Sequence, residues 1–341
     1  MPKSAKLSIV TCTYNGERTI EEFLNGIFSQ DYPLDEIELI LMDGGSNDKT
    51  LDIIQEYKKK YPKIIRLVHN LKRYGDGRGM GVDNASRMAI GELLLFLDQD
   101  NILVQKDWLK NMIKILEGNK SVSAVQSRML VPDDGTLIDK YLCAVGIEDP
   151  FIASYSLNAQ INFHPGKFEY NYEDKYYLYE INKDRFFYAG SNGFLIRRKD
   201  FFDANGWVND IDNFYRMAIK GYKVEVPKDV RLHHKTSTNL KHFLGKRRLY
   251  AEHYILKNYE NRDFYWFNLE KNTYAQNLRF VGTILSNLAF LPGLLQGISM
   301  ALKEEKAFWL IHPIMLFLMA INYAYSYFYT SFLKKEETAK I

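Results

Sequence analysis

The chain has 341 residues, 46% of them hydrophobic, with 45 basic side chains against 42 acidic ones. That length suits one large α/β domain with an appendage, or two modest domains. The near-balance of charge argues against a nucleic-acid partner. Two cysteines, Cys12 and Cys143, make no disulfide framework and fit a reducing, cytosol-facing location.

Met1 to Lys6 leads straight into the strand-like Leu7-Ser8-Ile9-Val10, so no signal peptide is expected. Apolar runs at 7–12, 37–42, 64–68 and 93–97 are short and strand-like. Between them, 17–28, 48–60 and 80–90 carry helical spacing, as in Ile20, Phe23, Leu24 and Ile27. Strands alternating with helices predict a largely parallel sheet with right-handed crossovers. The Gly/Arg segment Tyr74-Gly75-Asp76-Gly77-Arg78-Gly79 reads as a loop. A helix over 106–117 and a strand over 121–127 continue the pattern. From 130 to 190 the chain is rich in Tyr, Phe and Asn without a clean period, and suits a substrate-facing insertion. Regularity returns with a strand at Gly193–Arg197, a helix from Asp212 to Lys220 and a strand over 223–226.

Near the end, 280–302 and 307–333 contain no Asp, Glu, Lys or Arg. A membrane-crossing helix needs about 20 predominantly apolar residues, so these stretches predict a two-helix hairpin joined by Lys303-Glu304-Glu305-Lys306. Lys271, Arg279, Lys334 and Lys335 flank it and put both ends on the cytoplasmic side. The alternative is an apolar pair packed on the soluble part or lying in the interface, which Pro292, Gly293 and Gly297 favour.

Several constellations carry chemistry. Asp98-Gln99-Asp100 follows the buried-strand run Leu93–Leu97. Ligands of open α/β sheets bind outside the carboxyl ends of the strands, and a hard cation there takes oxygen ligands and shares its shell with phosphates. Thr11-Cys12-Thr13-Tyr14-Asn15-Gly16 and Asp43-Gly44-Gly45-Ser46-Asn47-Asp48 end the first two strands at the same edge. Asp48 reads as a helix cap, whereas Asp43 has no local role in view and reads as a ligand contact. Asp212 reads as the cap of its helix, paired with Arg216, which leaves Asp210 projecting from the loop before it as a base or as a plain loop residue. His233 and His234 follow a strand-like run and point to opposite faces, so at most one meets the site. His233 is either a metal ligand or a polar contact. Lys246-Arg247-Arg248 meets a diphosphate, anionic lipid or water.

In order, these pieces resemble the family 2 glycosyltransferases of the GT-A fold, over Thr11 to about Tyr250. The resemblance implies an α/β class: a Rossmann-like domain with a mostly parallel sheet, followed by a membrane-associated helical hairpin. The expected divisions are 1–235 catalytic, 236–277 juxtamembrane and basic, and 278–335 the hairpin. Thr11, Thr13, Tyr14 and Asn15 would frame the nucleotide. Asp43 and Ser46 match the family's Asp-x-x-Ser-x-Asp-x-Thr signature, whose leading Asp contacts the base. Asp98 would lie near the ribose with Gln99 beside it, and Asp100 would hold a divalent cation, Mn²⁺ or Mg²⁺, with His233 close to it. Asn209-Asp210-Ile211-Asp212 is similar to Glu-Asp-x-Asp, which makes Asp210 the catalytic base. Ser191 and Asn192 would set specificity, and Arg248 would meet the diphosphate.

The chain departs from that pattern in three places. Asn209 stands for the usual Glu. Val82-Asp83 stands where Arg-Asn is frequent, so Arg73 or Arg78 would supply the cation beside Asp83. Gln-x-x-Arg-Trp is absent, which favours single-sugar addition over polymerisation. The donor expected is a UDP-sugar, with a GDP-sugar open, and the acceptor a polyprenyl-linked molecule or a glycan at a lipid surface. A sugar-nucleotide-forming nucleotidyltransferase and an inactive membrane-tethered carbohydrate-binding protein are the rival readings.

Overall fold

In the computed structural model, the described residues are 6–70, 77–145, 149–155, 170–172, 176–180, 192–207, 210–235, 237, 239–252, 263 and 273–329. The chain divides into two compact units, Met1–Leu130 with His164–Lys235, and Val131–Phe163 with Thr236–Ile341. Residues 131–163, expected in the catalytic part, therefore group with the second unit.

The first unit runs β1 (Leu7–Thr13), α1 (Ile20–Phe28), β2 (Ile37–Asp43), α2 (Thr50–Lys60), β3 (Ile65–His69), α3 (Gly77–Met88), β4 (Leu93–Phe96), β5 (Asn101–Ile102), α4 (Trp108–Gly118), β6 (Ala124–Gln126) and β7 (Arg128–Met129). The chain then leaves for α5 (Leu137–Val145) and α6 (Pro150–Tyr155) of the second unit. It returns with β8 (Tyr170–Tyr172), β9 (Tyr176–Glu180), β10 (Phe194–Arg197), α7 (Arg198–Asp203), α8 (Asp210–Ile219), β11 (Lys223–Pro227) and β12 (Arg231–His234).

Nine strands form one sheet in the order β3-β2-β1-β4-β10-β6-β11-β9-β8. The pairs β1–β2, β2–β3 and β1–β4 are parallel, while β10 enters antiparallel to both β4 and β6. Registers Thr13↔Asp43 and Val10↔Phe96 bring the carboxyl ends of β1, β2 and β4 to one edge. A smaller sheet has the order β5-β12-β7, with β12 antiparallel to β5 and parallel to β7.

These segments fold as they do because both faces of the central strands are covered. Ile37 to Asp43 is buried at every position, the near-continuous pattern of a strand with helices on both sides. Helix α1 buries Ile20, Phe23, Leu24 and Ile27, one stripe at helical spacing. Helix α4 does the same with Trp108, Leu109, Met112, Ile113 and Leu116. Each such side chain contributes about 1.5–3 kcal/mol when fully buried, so the sheet edge rests on a rigid base. Gly77 and Gly79, read as loop, belong to α3.

The second unit contains α5, α6, α9 (Leu240–Tyr250), α10 (Tyr274–Leu288), α11 (Leu291–Glu304), a 3-10 turn Ala307–Ile311 and α12 (His312–Phe328). The first uncharged stretch is not the straight arm of a hairpin. It breaks at Phe290, whose φ is 66°, and α10 and α11 meet at a 76° bend. Pro292 at the start of α11 explains the break: its ring cannot continue the preceding helix, but it fits a new first turn. One helix among the described residues, Ala307–Phe328, is long and apolar enough to cross a membrane. Gly293 and Gly297 bring α11 against α12, where an added Cβ would meet Pro313 Cα at 3.1 Å and the Trp309 carbonyl at 2.7 Å. Inside the bundle, Tyr141 Oη lies 2.7 Å from His312 Nδ1.

Candidate active site

The two first turns are laced together. Asn15 adopts a left-handed φ of 46°, which an asparagine tolerates. Its N–H donates to Ser46 Oγ (3.0 Å), and its Oδ1 accepts from Asn47 N–H (3.0 Å). Gly16 N–H donates to Thr50 Oγ1 at 2.7 Å, and Glu17 N–H to Asp48 Oδ2 at 3.1 Å. Asp48 also accepts from the N–H and hydroxyl of Thr50. Burial pushes the Asp48 carboxyl up, but the Thr50 and Glu17 hydrogen bonds outweigh it and hold the group below its ordinary value.

Asp43 is fully buried and does have a local role, contrary to the sequence reading. Its carboxylate accepts from Gly45 N–H (2.8 Å), Ser46 N–H (3.1 Å) and Ser46 Oγ (2.6 Å), and so shapes the second turn. Asn15 and Ser46, expected to reach the donor, are likewise engaged in the backbone of the facing turn. Thr11 is wholly buried in β1. Tyr14 is 39% exposed beside these groups.

Gln99 ties the first turn to the loop after β4. Its Oε1 accepts from Thr13 Oγ1 (2.6 Å) and Tyr14 N–H (3.0 Å), and its Nε2 donates to the Tyr14 carbonyl (3.1 Å). The amide thus pairs with both main-chain polar groups of Tyr14, where a donor contact was expected. Gly16 leaves the space for it, since an added Cβ would lie 2.3 Å from Gln99 Oε1.

Asp98 and Asp100 stand on either side of Gln99, both half-buried. The antiparallel pairing of β12 with β5 sets His234 opposite Asn101. This brings His234 Nε2 to 3.2 Å from Asp100 Oδ1. Ligand atoms of Asp98, Asp100 and His234 all lie within 4.8 Å of one another. His233 is the correction: alternation along the strand aims it at the other face, and His234 meets the carboxylates.

Asn101 was missed, though it directly follows Asp100. It is fully buried, accepts from Asp98 N–H (3.0 Å), and donates to Asn192 Oδ1 (3.0 Å) and, at 3.5 Å, to Asp100 Oδ1. Asn192 is therefore brought to the acidic loop. Gly193, at φ 77°, carries the chain from Asn192 into β10, and its N–H donates to the Phe96 carbonyl at 3.0 Å. Lys235, after β12, is held on α1 by Glu22, and its carbonyl accepts from Arg18 Nη2 at 3.0 Å.

Other expectations fare differently. Asp83 accepts from Arg87 Nε (2.7 Å) and Trp207 N–H (3.1 Å), which clamps α3 to the loop before α8. Asp210 opens α8 two residues earlier than predicted, so Asp212 lies buried within the first turn and is not the cap. Phe214 of α8 packs on Phe194 of β10, ring centres 5.0 Å apart, which seats the helix against the strand that follows Asn192. Arg78 is in α3, and Arg73 and Ser191 lie outside the described residues. Arg248 is in the second unit, where it donates to Glu252 (2.9 Å) and stacks over Tyr325 at 4.2 Å.

Two carboxylates and an imidazole so grouped suit a divalent cation of the Mn²⁺ or Mg²⁺ kind. Such a cation shares its shell with phosphate oxygens, and the edge of a parallel sheet is where nucleotides bind.

Known proteins agree with this architecture. Residues 8–202, more than half the chain, match glycosyl transferase family 2. The chain is 34% identical over 116 residues to poly(ribitol-phosphate) beta-N-acetylglucosaminyltransferase TarS of Staphylococcus aureus, covering 34% of this chain and 20% of that protein. It is 36% identical over 98 residues to the poly(ribitol-phosphate) beta-glucosyltransferase of Bacillus spizizenii, covering 29% and 15%. The matched region thus spans a fifth or less of those relatives. In fold, the mannosyltransferase PcManGT of Pyrobaculum calidifontis superposes with a TM-score of 0.55 over 95% of this chain and 88% of that one, at 18% identity. By its sheet, its acidic loop and the extent of the family match, the chain belongs to glycosyl transferase family 2.

Proposed function

We propose that the chain is an inverting, cation-dependent glycosyltransferase. It moves one sugar from a nucleoside-diphosphate sugar to a hydroxyl of a polyprenyl-linked or glycan acceptor at the cytoplasmic face of a membrane. UDP-sugars are favoured as donors over GDP-sugars. The observation that carries this reading is the grouping of Asp98, Asp100 and His234 at the carboxyl edge of the parallel sheet. Family membership supplies the reaction class. The names of the relatives, which specify N-acetylglucosaminyl and glucosyl transfer to poly(ribitol-phosphate), accord with a glycan acceptor.

In this reading Asp98, Asp100 and His234 hold the cation, which when bound supplies positive charge beside the departing diphosphate. The laced turns 13–16 and 43–48 shape the nucleotide pocket, with Asp43 fixing the second turn and Tyr14 offering an exposed ring. Asp210, at the start of α8, takes the proton of the acceptor hydroxyl as its oxygen attacks the anomeric carbon. The bond from that carbon to the diphosphate oxygen breaks on the opposite side, so configuration inverts and the proton remains on Asp210.

The test is incubation of the protein with Mn²⁺, an acceptor extract and a panel of nucleotide sugars. Free nucleoside diphosphate should appear in step with transferred sugar, and chelation should stop both. Release of pyrophosphate would point instead to nucleotidyl transfer. Donor binding without turnover under any condition would leave a carbohydrate-binding protein.

A further inference from the structure

Helices α10 and α11 each carry an exposed apolar stripe. On α10 it comprises Leu278, Val281, Leu285 and Leu288, and on α11 Leu291, Leu295, Ile298 and Leu302. At 3.6 residues per turn each set falls within an arc of roughly 80° or less. The rest of each helix is unlike that stripe. On α10 the far side presents Gln276, Arg279, Thr283 and Ser286, and on α11 it is the Gly293–Gly297–Met300 face packed against α12. Eight large aliphatic side chains in water along two consecutive helices exceed the scattered exposure of ordinary surfaces.

We propose that the α10–α11 pair lies in the plane of a lipid bilayer, its two stripes sunk into the boundary between headgroups and acyl chains. Length argues for this over crossing. The helices have 15 and 14 residues, about 21–23 Å each, against a hydrocarbon core of about 30 Å. The 76° bend between them prevents their adding into one straight span. Composition agrees on α10, where Gln276, Arg279, Thr283 and Ser286 stand opposite the apolar stripe in the pattern of a helix lying at an interface. Continuity selects lipid over a second copy of the chain. Gly293 of α11 packs on Pro313 and Leu316 of the helix Ala307–Phe328, which is long and apolar enough to cross a membrane. A bilayer that receives that helix would meet the stripes of its neighbours at the headgroup boundary. The inference does not depend on the glycosyl-transfer reading, because the lipid readout below involves no donor.

The full chain is mixed with vesicles of phosphatidylcholine and phosphatidylglycerol, and binding is read by flotation. Single cysteines at Leu278, Leu285, Leu295 and Leu302, in a Cys12→Ser, Cys143→Ser background, carry an environment-sensitive fluorophore. Quenchers placed shallow and deep in the acyl layer then report depth. All four positions should be quenched best by the shallow probe. Leu285→Asp and Leu295→Asp should each weaken partitioning at least about tenfold, with the circular dichroism spectrum retained. Depth graded along the pair, with one position near the bilayer centre, would mean a crossing helix and overturn the proposal. So would failure of the folded chain to float, with or without self-association in solution. A variant that loses its spectrum is replaced by Leu285→Ser and Leu295→Ser, which keep size small and charge absent.

Discussion

His234 Nε2 stands 3.2 Å from Asp100 Oδ1, across a strand pair that sets His234 opposite Asn101, 133 positions earlier in the sequence. The contact exists because β12 runs antiparallel to the two-residue strand β5, which begins one residue after Asp100. One of the three groups the site offers a cation thus arrives from the far end of the first unit.

His234→Ala should raise the Mn²⁺ concentration needed for half-maximal turnover by at least about tenfold. His233→Ala should leave it unchanged, since that ring faces away from the carboxylates. Titration of Mn²⁺ by calorimetry or paramagnetic resonance decides this. Equal effects of the two substitutions would remove His234 from the cation group.

Asp210→Asn should lower turnover by about 10²–10⁴-fold, the usual worth of a general base. Donor affinity should stay close to that of the unaltered protein, because Asp210 acts on the acceptor. Donor binding and initial rates measured side by side check both halves. Retained turnover would transfer the role to another residue.

Gln99→Leu removes three hydrogen bonds, from Thr13 Oγ1, from Tyr14 N–H and to the Tyr14 carbonyl. The cost should be about 1–3 kcal/mol, the range for a polar group left unsatisfied. Urea unfolding gives that figure, and the donor KM should rise along with it as the first turn loosens. Unchanged stability would show that water replaces the amide without loss.

The Asp48 carboxyl lies below its ordinary value of 3.8 in the folded chain. Its contribution to stability is therefore whole above that value and is lost as pH falls below it towards the folded-state pKa. Asp48→Asn should flatten this part of the acid limb of a stability-against-pH curve. A curve of unchanged slope below pH 3.8 would contradict the lacing of the two turns through Asp48.

Local pattern was enough for the parallel strands β1 to β4. The runs at 7–12, 37–42, 64–68 and 93–97 became β1 to β4 with shifts of a residue or so, because buried parallel strands are written as unbroken apolar runs. The position of Asp98 and Asp100 followed directly, since a residue beyond the carboxyl end of such a strand must stand at the ligand edge. The bent α10–α11 pair was half visible: Pro292 marked a break, but an uncharged run of 23 residues looks the same straight or folded.

Other features depended on contacts that no local period encodes. Parity along β12 allowed one of two histidines to face the cation group, and only the His234↔Asn101 register chose between them. Gln99, Asn15 and Ser46 carry donors and acceptors suited to a ligand, yet they close on neighbouring turns because registers of β1, β2 and β4 put those turns within hydrogen-bond reach. Asn101 gave no signal beyond following Asp100. The amino-acid order by itself determined the first strands and helices and the residues at the sheet's edge, since burial periodicity is a property of adjacent positions. Which of those residues face the cation group and which brace one another was decided by tertiary structure, because hydrogen-bond partners are set by distance in space.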